Sequence, residues 1–354
     1  MPRSPTMLRL LQFLVTLALW PATGAAAQQR LEIDHGSGRE VINQWEYGFR
    51  SFVEIDHARK LLYVFEASDP LAALAISLND GALVSKYGGA EGEGPGELQN
   101  ANALAATTDG VYASDHVRVN HWDSSGNLVS TWRPNTPSVM DVCALGGQPA
   151  VPLPGGALVR STDGPAVILG RGRAGRRLMV DLASAREAMF TFTSSEIVCM
   201  GDVAYVLTDL QVHGHSAGGT TTEVKLPPEL VERGRRRQEG ARGGARIRPF
   251  RLFHDGNGNL VISMWRSRLA GAIIDPETGC HSIVMDPGPP AGHAVRFAGM
   301  YQDSAVVLVN TPTTRMVEGK PTPVFVAGEY PIIALRPLRR VGGEPCKAQG
   351  PQPL

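Results

Sequence analysis

The sequence predicts an all-β fold assembled from repeated small antiparallel sheets, and three observations predict it. Short runs rich in Val, Tyr and Leu, closed by turn-forming residues, recur as LLYVFEASD (61–69), GVYASD (110–115) and VAYVLTD (203–209); this is strand-and-turn grammar. A second element repeats downstream: Gly81-Ala-Leu-Val-Ser-Lys-Tyr87 and Gly126-Asn-Leu-Val-Ser-Thr-Trp132 share glycine, Leu-Val-Ser and a final aromatic at an offset of 45 residues, and Ile274 to Val284 repeats the outline. Long stretches of 3.6-residue apolar period are nearly absent, the best helical candidates being 177–189 and 227–238. A unit of about 40–45 residues with some four strands cannot bury both faces of its sheet alone, whereas units set around an axis cover one another. The expected architecture is therefore a six-bladed β-propeller of four-stranded antiparallel blades, with provisional blades at 50–98, 99–139, 140–195, 196–245, 246–290 and 291–338.

Taken in order, residues 1–27 read as a signal peptide. Arg3 and Arg9 supply a basic start, Leu10 to Trp20 an apolar run, Pro21 a break and Ala25-Ala26-Ala27 a small-residue cleavage site, a pattern that targets a chain for export. The apolar run is too short for a membrane span, which needs roughly 20 residues, so a secreted or periplasmic location is expected. Residues 28–341 form the expected propeller and 342–354 an irregular tail. A propeller must join its last blade to its first, and part of 31–48 is expected to pair beside YPIIALRPL (330–338). Without Arg3 and Arg9 the chain carries 32 basic and 34 acidic side chains. That balance gives no reason to expect nucleic acid, whose binding depends on phosphate neutralisation; a monomer is expected.

The glycine-rich segment GGAEGEGPGE (88–97) resembles a phosphate loop only in composition. Such a loop continues with lysine and a hydroxyl residue into a helix, whereas Glu97-Leu98-Gln99 follows here. Glycine and Pro95 instead suit a sharp crossing from the outer strand of one blade to the inner strand of the next. GEGPGEL (92–98) and then ALAATTDGVYASDHVRVNHWDSSGNLVSTW (103–132) resemble the NHL-type six-bladed propeller repeat of bacterial exported proteins: a glycine-rich lead-in, a strand ending in Asp115, Arg118 three residues on, an apolar strand, Asp123 and a turn glycine at Gly126.

Four cysteines, Cys143, Cys199, Cys280 and Cys346, can pair in three ways. Cys143 with Cys199 is favoured, because VMDVCAL and SEIVCMG read as corresponding strands of neighbouring units; four free thiols are the alternative. Zinc is disfavoured because no pair has C-x₂₋₄-C spacing.

Gly214-His215-Ser216-Ala217-Gly218 is a literal G-x-S-x-G, the nucleophile elbow of α/β-hydrolases when a helix follows. Three β-branched threonines, Thr220 to Thr222, follow instead, so a hairpin tip is the favoured reading and a serine esterase using Ser216 the weakest functional one. Asp255-Gly-Asn257-Gly-Asn259 opens like a calcium loop, but its twelfth position is Arg266 rather than a glutamate; a β-turn is expected.

Inner strands line the central channel of a propeller, and the polar residues expected where they begin are Asn102, Asp141, Glu196, His254 and His293. These are the candidate binding residues. No catalytic residue is assigned and the metal is unknown; no cofactor is expected, the alternative being Ca or Zn in the channel, as the resemblance to gluconolactonase-like and amidating-lyase propellers implies. RGRAGRR (171–177) and the arginine-rich 232–248 could dock an anionic partner, but composition favours solvated loops. The expected function is an exported binding or scaffold propeller presenting loop surfaces to a protein, peptide or glycan. A metal-dependent lyase or lactone hydrolase at the channel mouth is the alternative.

Overall fold

The computed structural model describes residues 29–344 apart from 44–48, 67–71, 90–93, 99–100, 137–138, 154–155, 163–165, 170–194, 240–249, 265–267, 289–292, 311–312, 318–319, 325–331 and the single positions 135 and 209. The expected signal peptide, the helical candidate at 177–189, RGRAGRR and Cys346 lie outside the described residues.

Two strands come first, β1 (Gln29–Ile33) and β2 (Arg39–Asn43). Blade one is β3 (Phe49–Asp56), β4 (Leu61–Glu66), β5 (Ala72–Ser77) and β6 (Leu83–Gly88). Blade two is β7 (Ala103–Ala106), β8 (Gly110–Ser114), β9 (Val119–Asp123) and β10 (Leu128–Trp132). Blade three is β11 (Cys143–Leu145), β12 (Gln148–Pro152), β13 (Leu158–Arg160) and β14 (Val167–Leu169). Blade four is β15 (Glu196–Met200), β16 (Val203–Thr208), β17 (Gln211–Ser216) and β18 (Thr221–Val224), followed by helix α1 (Pro228–Glu239). Blade five is β19 (Phe250–His254), β20 (Leu260–Met264), β21 (Leu269–Ile274) and β22 (His281–Met285). Blade six opens with β23 (Ala294–Tyr301) and β24 (Ser304–Asn310), carries the hairpin β25 (Thr313–Val317) and β26 (Lys320–Val324), and returns as β27 (Ile332–Gly342).

Blades one to five are consecutive antiparallel meanders, and blade six runs β23, β24, β27 and then β2. The first strands β3, β7, β11, β15, β19 and β23 adjoin one another in that order, and β23 adjoins β3. The circle therefore closes at six. The repeats seen in the sequence fall in register: 61–66, 110–114 and 203–208 are second strands, and 83–88 and 128–132 are fourth strands.

Packing explains why a circle forms. Alternate residues of a strand point to opposite faces, and here both faces of the sheets are apolar. Leu104 packs with Tyr63, Phe65 and Tyr87 of blade one, whereas its neighbours Ala103 and Ala105 pack with Val142, Val151 and Val159 of blade three. Further clusters fill the joints between blades three and four, four and five, and around blades five, six and one. Each buried Leu, Val, Ile or Phe is worth about 1.5–3 kcal/mol, so no blade is stable without its neighbours.

Ring closure uses the N-terminal strands. β2 pairs antiparallel with β27, Arg39 opposite Leu335 and Asn43 opposite Ile332, as the fourth strand of blade six. β1 pairs with the far half of β27, Ile33 opposite Leu338, and lies parallel to β22 of blade five. Beside it His35 Nε2 meets Asp286 Oδ1 at 2.8 Å. At Gly81, with φ +76°, an added Cβ would fall 1.8 Å from the Val41 carbonyl oxygen, so only glycine lets blade one's turn close on β2.

The glycine-rich segment is the joint between β6 and β7, with positive φ at Gly88, Gly89 and Gly96. It is held from below by Arg118, 2% exposed. Arg118 Nε donates to Asp115 Oδ2 at 2.9 Å, Nη1 to the Gly94 carbonyl at 2.7 Å and Nη2 to the Glu97 carbonyl at 2.9 Å. One buried guanidinium thus satisfies the loop carbonyls that glycine-rich backbone leaves without strand partners.

Helix α1 docks through fully buried Leu230, and Gly234 lies against Leu210 and Phe250. The first residues of the arginine-rich 232–248 are therefore helical rather than loop, with Glu232 ion-paired to Arg235 and Arg236. No helix among the described residues is long and apolar enough to cross a membrane.

Candidate functional site

The residues that begin the inner strands are occupied in joining blades. Asn102 Nδ2 donates to the Val139 carbonyl at 2.7 Å, and its Oδ1 accepts from Ser114 Oγ at 2.7 Å. Asp141 accepts from the Val142 N–H at 3.0 Å and, across to blade four, from the Ile197 N–H at 2.9 Å. Glu196 reaches blade five, where Arg251 Nη1 donates to its Oε2 at 3.2 Å. The three form successive clasps, from blade two to three, three to four and four to five.

His293 is half-buried just before β23, and its Nδ1 has no hydrogen-bond partner among the described residues. His254 corrects the expected register: it is the last residue of β19, not near its start, and so belongs to the opposite mouth. The five candidates do not converge. Among the described residues no group of three or more His, Cys, Asp or Glu side chains is placed to hold a metal ion, so this set does not fit the calcium or zinc alternative.

Two other motifs resolve as turns. Both Asp255 oxygens are taken, Oδ1 by the Asn257 and Asn259 N–H groups and Oδ2 by Asn259 Nδ2, and Asp123 makes the same bonds to Ser125 and Asn127. Ser216 ends β17, its Oγ accepts from the Thr220 N–H at 3.0 Å, and β18 follows. The hairpin reading holds and the strand-turn-helix elbow is absent there.

The channel itself is asymmetric. Toward the starting ends of the inner strands it narrows to a space of about 20 Å³ lined by Val53, Glu54, Asp141, Glu196 and Arg251 among others, room for roughly one water. Toward the finishing ends it widens into a cup of about 950 Å³. Glu54 and Ile197 line both spaces, so they mark the constriction, and for anything larger than about one water the cup is blind. Its wall includes Cys143 and Cys199, whose disulfide joins β11 to β15 with Cα atoms 5.5 Å apart, as the sequence favoured. Cys280 is also disulfide-bonded.

Burial alters the proton affinity of Glu54, His254 and His57 at the cup. Burial pushes the Glu54 carboxyl up to about 8; the Ala106 N–H, 3.4 Å away, opposes this and the Asp141 and Asp56 carboxylates add to it. Burial holds His254 down to about 4, with His57 contributing, and burial likewise lowers His57. The two rings lie 4.8 Å apart, and His57 also faces Tyr301 at 6.4 Å. His57 Nε2 donates to the His254 carbonyl at 3.2 Å, and the Gly256 N–H donates to His254 Nδ1 at 3.2 Å; these partners assign neutral tautomers.

The shifts have opposite signs in stability. An imidazole lowered on folding from 6.5 to about 4 gives its full contribution above 6.5 and loses it as pH falls toward 4. A carboxyl raised from 4.5 to about 8 gives its full contribution below 4.5 and loses it as pH rises through 8. Glu54→Gln should therefore gain stability relative to the parent as pH rises, reaching about 1–3 kcal/mol near pH 9 after allowance for screening by channel water. Guanidinium unfolding across pH checks this; a gap that stays constant would place Glu54 in the ordinary carboxylate range.

Sequence reading missed Glu54 and His57. The available signal was Val53-Glu54-Ile55, a carboxylate set among β-branched residues of an inner strand.

No family model and no curated protein matches the chain. Solved structures similar in fold include a catalytically inactive virginiamycin B lyase from Staphylococcus aureus with quinupristin, at TM-score 0.47 and 13% identity over 88% of this chain and 99% of that one. U3-55K is similar at TM-score 0.48 and 9% identity over 86% and 99%. The Cps50 (Swd1) β-propeller domain of Myceliophteria thermophila is similar at 0.44 and 14% over 84% and 99%. Likenesses this distant carry no activity across, and the closed ring of inner strands is what makes the chain an all-β propeller of four-stranded antiparallel blades.

Proposed function

We propose that the protein is an exported binding propeller that receives part of a protein, peptide or glycan partner in the blind cup. The cup carries this reading: a concave, largely preformed space of about 950 Å³ is of the size that holds a ligand group. At the other mouth Asn102, Asp141 and Glu196 are taken up by interblade bonds. The Cys143–Cys199 disulfide fits an oxidising compartment. The buried Asp115–Arg118 pair and glycine-rich lead-in give the NHL-type resemblance a structural purpose, that of a rigid frame.

Ala58 and Asn257 are exposed residues of the cup's lining, so tryptophan there narrows the opening without entering the core. A panel of short peptides and oligosaccharides, screened by calorimetry, should yield ligands whose affinity falls about tenfold or more in Ala58→Trp or Asn257→Trp, both retaining the parent's circular dichroism. Ligands indifferent to both substitutions would move recognition elsewhere. Ligands recovered chemically altered would make the cup an active site.

A further inference from the structure

We infer that the cup selects a cationic nitrogen, an alkylammonium or guanidinium group such as a lysine or arginine side chain, and seats it on Glu54. The inference rests on the cup being the binding site and names the chemistry it recognises.

Four observations carry it. Glu54 sits where the channel closes, at the deepest point a ligand entering the cup can reach. Its carboxyl receives one long backbone hydrogen bond, from Ala106 at 3.4 Å, and no Lys, Arg or His side chain pairs with it among the described residues. That one long bond to blade two is all the joint draws from it, and a half-buried carboxylate without a cation is costly.

Next, the lining of the cup contains Glu54, Asp56, Asp275 and Glu277 but neither lysine nor arginine. Asp56 is paired with Arg59, whose guanidinium is also taken up by the Thr107 and Gly110 carbonyls. Asp275 and Glu277 leave the cup negative, joined by Glu54 once it is ionised, since burial holds both histidines neutral. A cavity lined by one sign of charge concentrates ligands of the other.

Finally, Tyr205 lines the cup close enough to Glu277 and Asp275 for their charges to act on its hydroxyl. A tyrosine at the lining beside carboxylates suits a cation with an alkyl stem. An anionic ligand would be repelled by Asp275 and Glu277, and a neutral sugar could give Glu54 hydrogen bonds but no opposite charge.

The test uses the intact protein and acetylated, amidated peptides that differ at one central residue: lysine, norleucine, arginine or citrulline. With calorimetry at low salt, the lysine and arginine peptides should bind about tenfold or more tighter than norleucine and citrulline. Glu54→Gln should remove that preference, bringing the lysine and arginine peptides to the affinity that the same variant shows for norleucine and citrulline. Affinity for lysine should rise with pH from about 6 to about 8, with proton release seen as a buffer-dependent enthalpy. The groups that can shape this profile are Asp56 and His57 beside Glu54, Asp141, Glu196, and Arg251 and His254 of β19.

Equal affinity for lysine and norleucine, or an unchanged preference in Glu54→Gln, overturns the inference, as does failure of every cationic probe to bind at millimolar concentration. Butylammonium distinguishes the sources: binding as tight as the lysine peptide assigns the site to small amines, weaker binding to peptides. The rim variants separate the two levels. Peptides blocked by Ala58→Trp but blind to charge sink this inference and keep the cup, whereas charge-selective binding that ignores Ala58→Trp and Asn257→Trp sinks the cup.

Discussion

Replacing Arg118 with alanine should cost about 3–5 kcal/mol of folding stability, the range for breaking a buried ion pair by removing one partner. Asp115 would be left with its carboxyl 1% exposed, and its bonds to the Val117 and Arg118 N–H groups do not replace the lost guanidinium. The Gly94 and Glu97 carbonyls would lose their donors as well, so the joint between blades one and two would loosen. Arg118→Lys keeps the charge but not the planar fork and should recover only part of the loss. Arg59→Ala is the natural comparison. It breaks a similar Asp-x-x-Arg pair, but the Arg59 side chain is 25% exposed, so its removal opens the 6% exposed Asp56 to water and the cost should be about 1–2 kcal/mol. Guanidinium midpoints compare the three; an Arg118→Ala loss no larger than that of Arg59→Ala would deny the joint its importance.

Removing residues 29–43 should be more damaging still. That segment supplies the fourth strand of blade six and the strand that links β27 to β22. Its loss uncovers Val284, Ile333 and Leu335, which pack in one cluster with Ile33 and Val41. Burial of Ile33 and Val41 alone is worth about 3–6 kcal/mol, comparable with the whole net stability of a typical domain, about 5–15 kcal/mol. The truncated chain should lose cooperative thermal unfolding or melt far below the parent. Val41→Asp should reproduce much of this in one residue, because the carboxylate would enter a site 6% exposed. A truncated chain that melts with the parent would remove the closure.

Much of the architecture was legible because strand grammar is local. Leu61 to Glu66 and Gly110 to Ser114 each carry apolar residues bounded by turns, and equal spacing of like runs reports the blade period directly. Ring closure was legible because a terminal strand with no blade of its own has one open edge to fill, that of β27. The site was less so. Asp-His-Ala-Arg (56–59) and Asp-His-Val-Arg (115–118) are near-identical in sequence, yet one follows the first strand of blade one and the other the second strand of blade two. Such a motif fixes a turn, not its place in a blade. His254 was assigned to the wrong mouth because β19 starts at Phe250, straight after a connection without apolar pattern. Glu54 was passed over because alternation says that a residue faces away from the packed side, while only the assembled ring says that this other side is a blind channel.

The account depends on a ring closed at six blades by the chain's first strands, since an open ring has no blind cup. Amide hydrogen exchange of the intact protein, resolved by peptide, tests this most directly. Closure predicts that residues 29–33 and 39–43 exchange as slowly as Ser304 to Asn310 of blade six, all being paired within the same sheet. Fast exchange of 29–43 while 304–310 stays protected would contradict it.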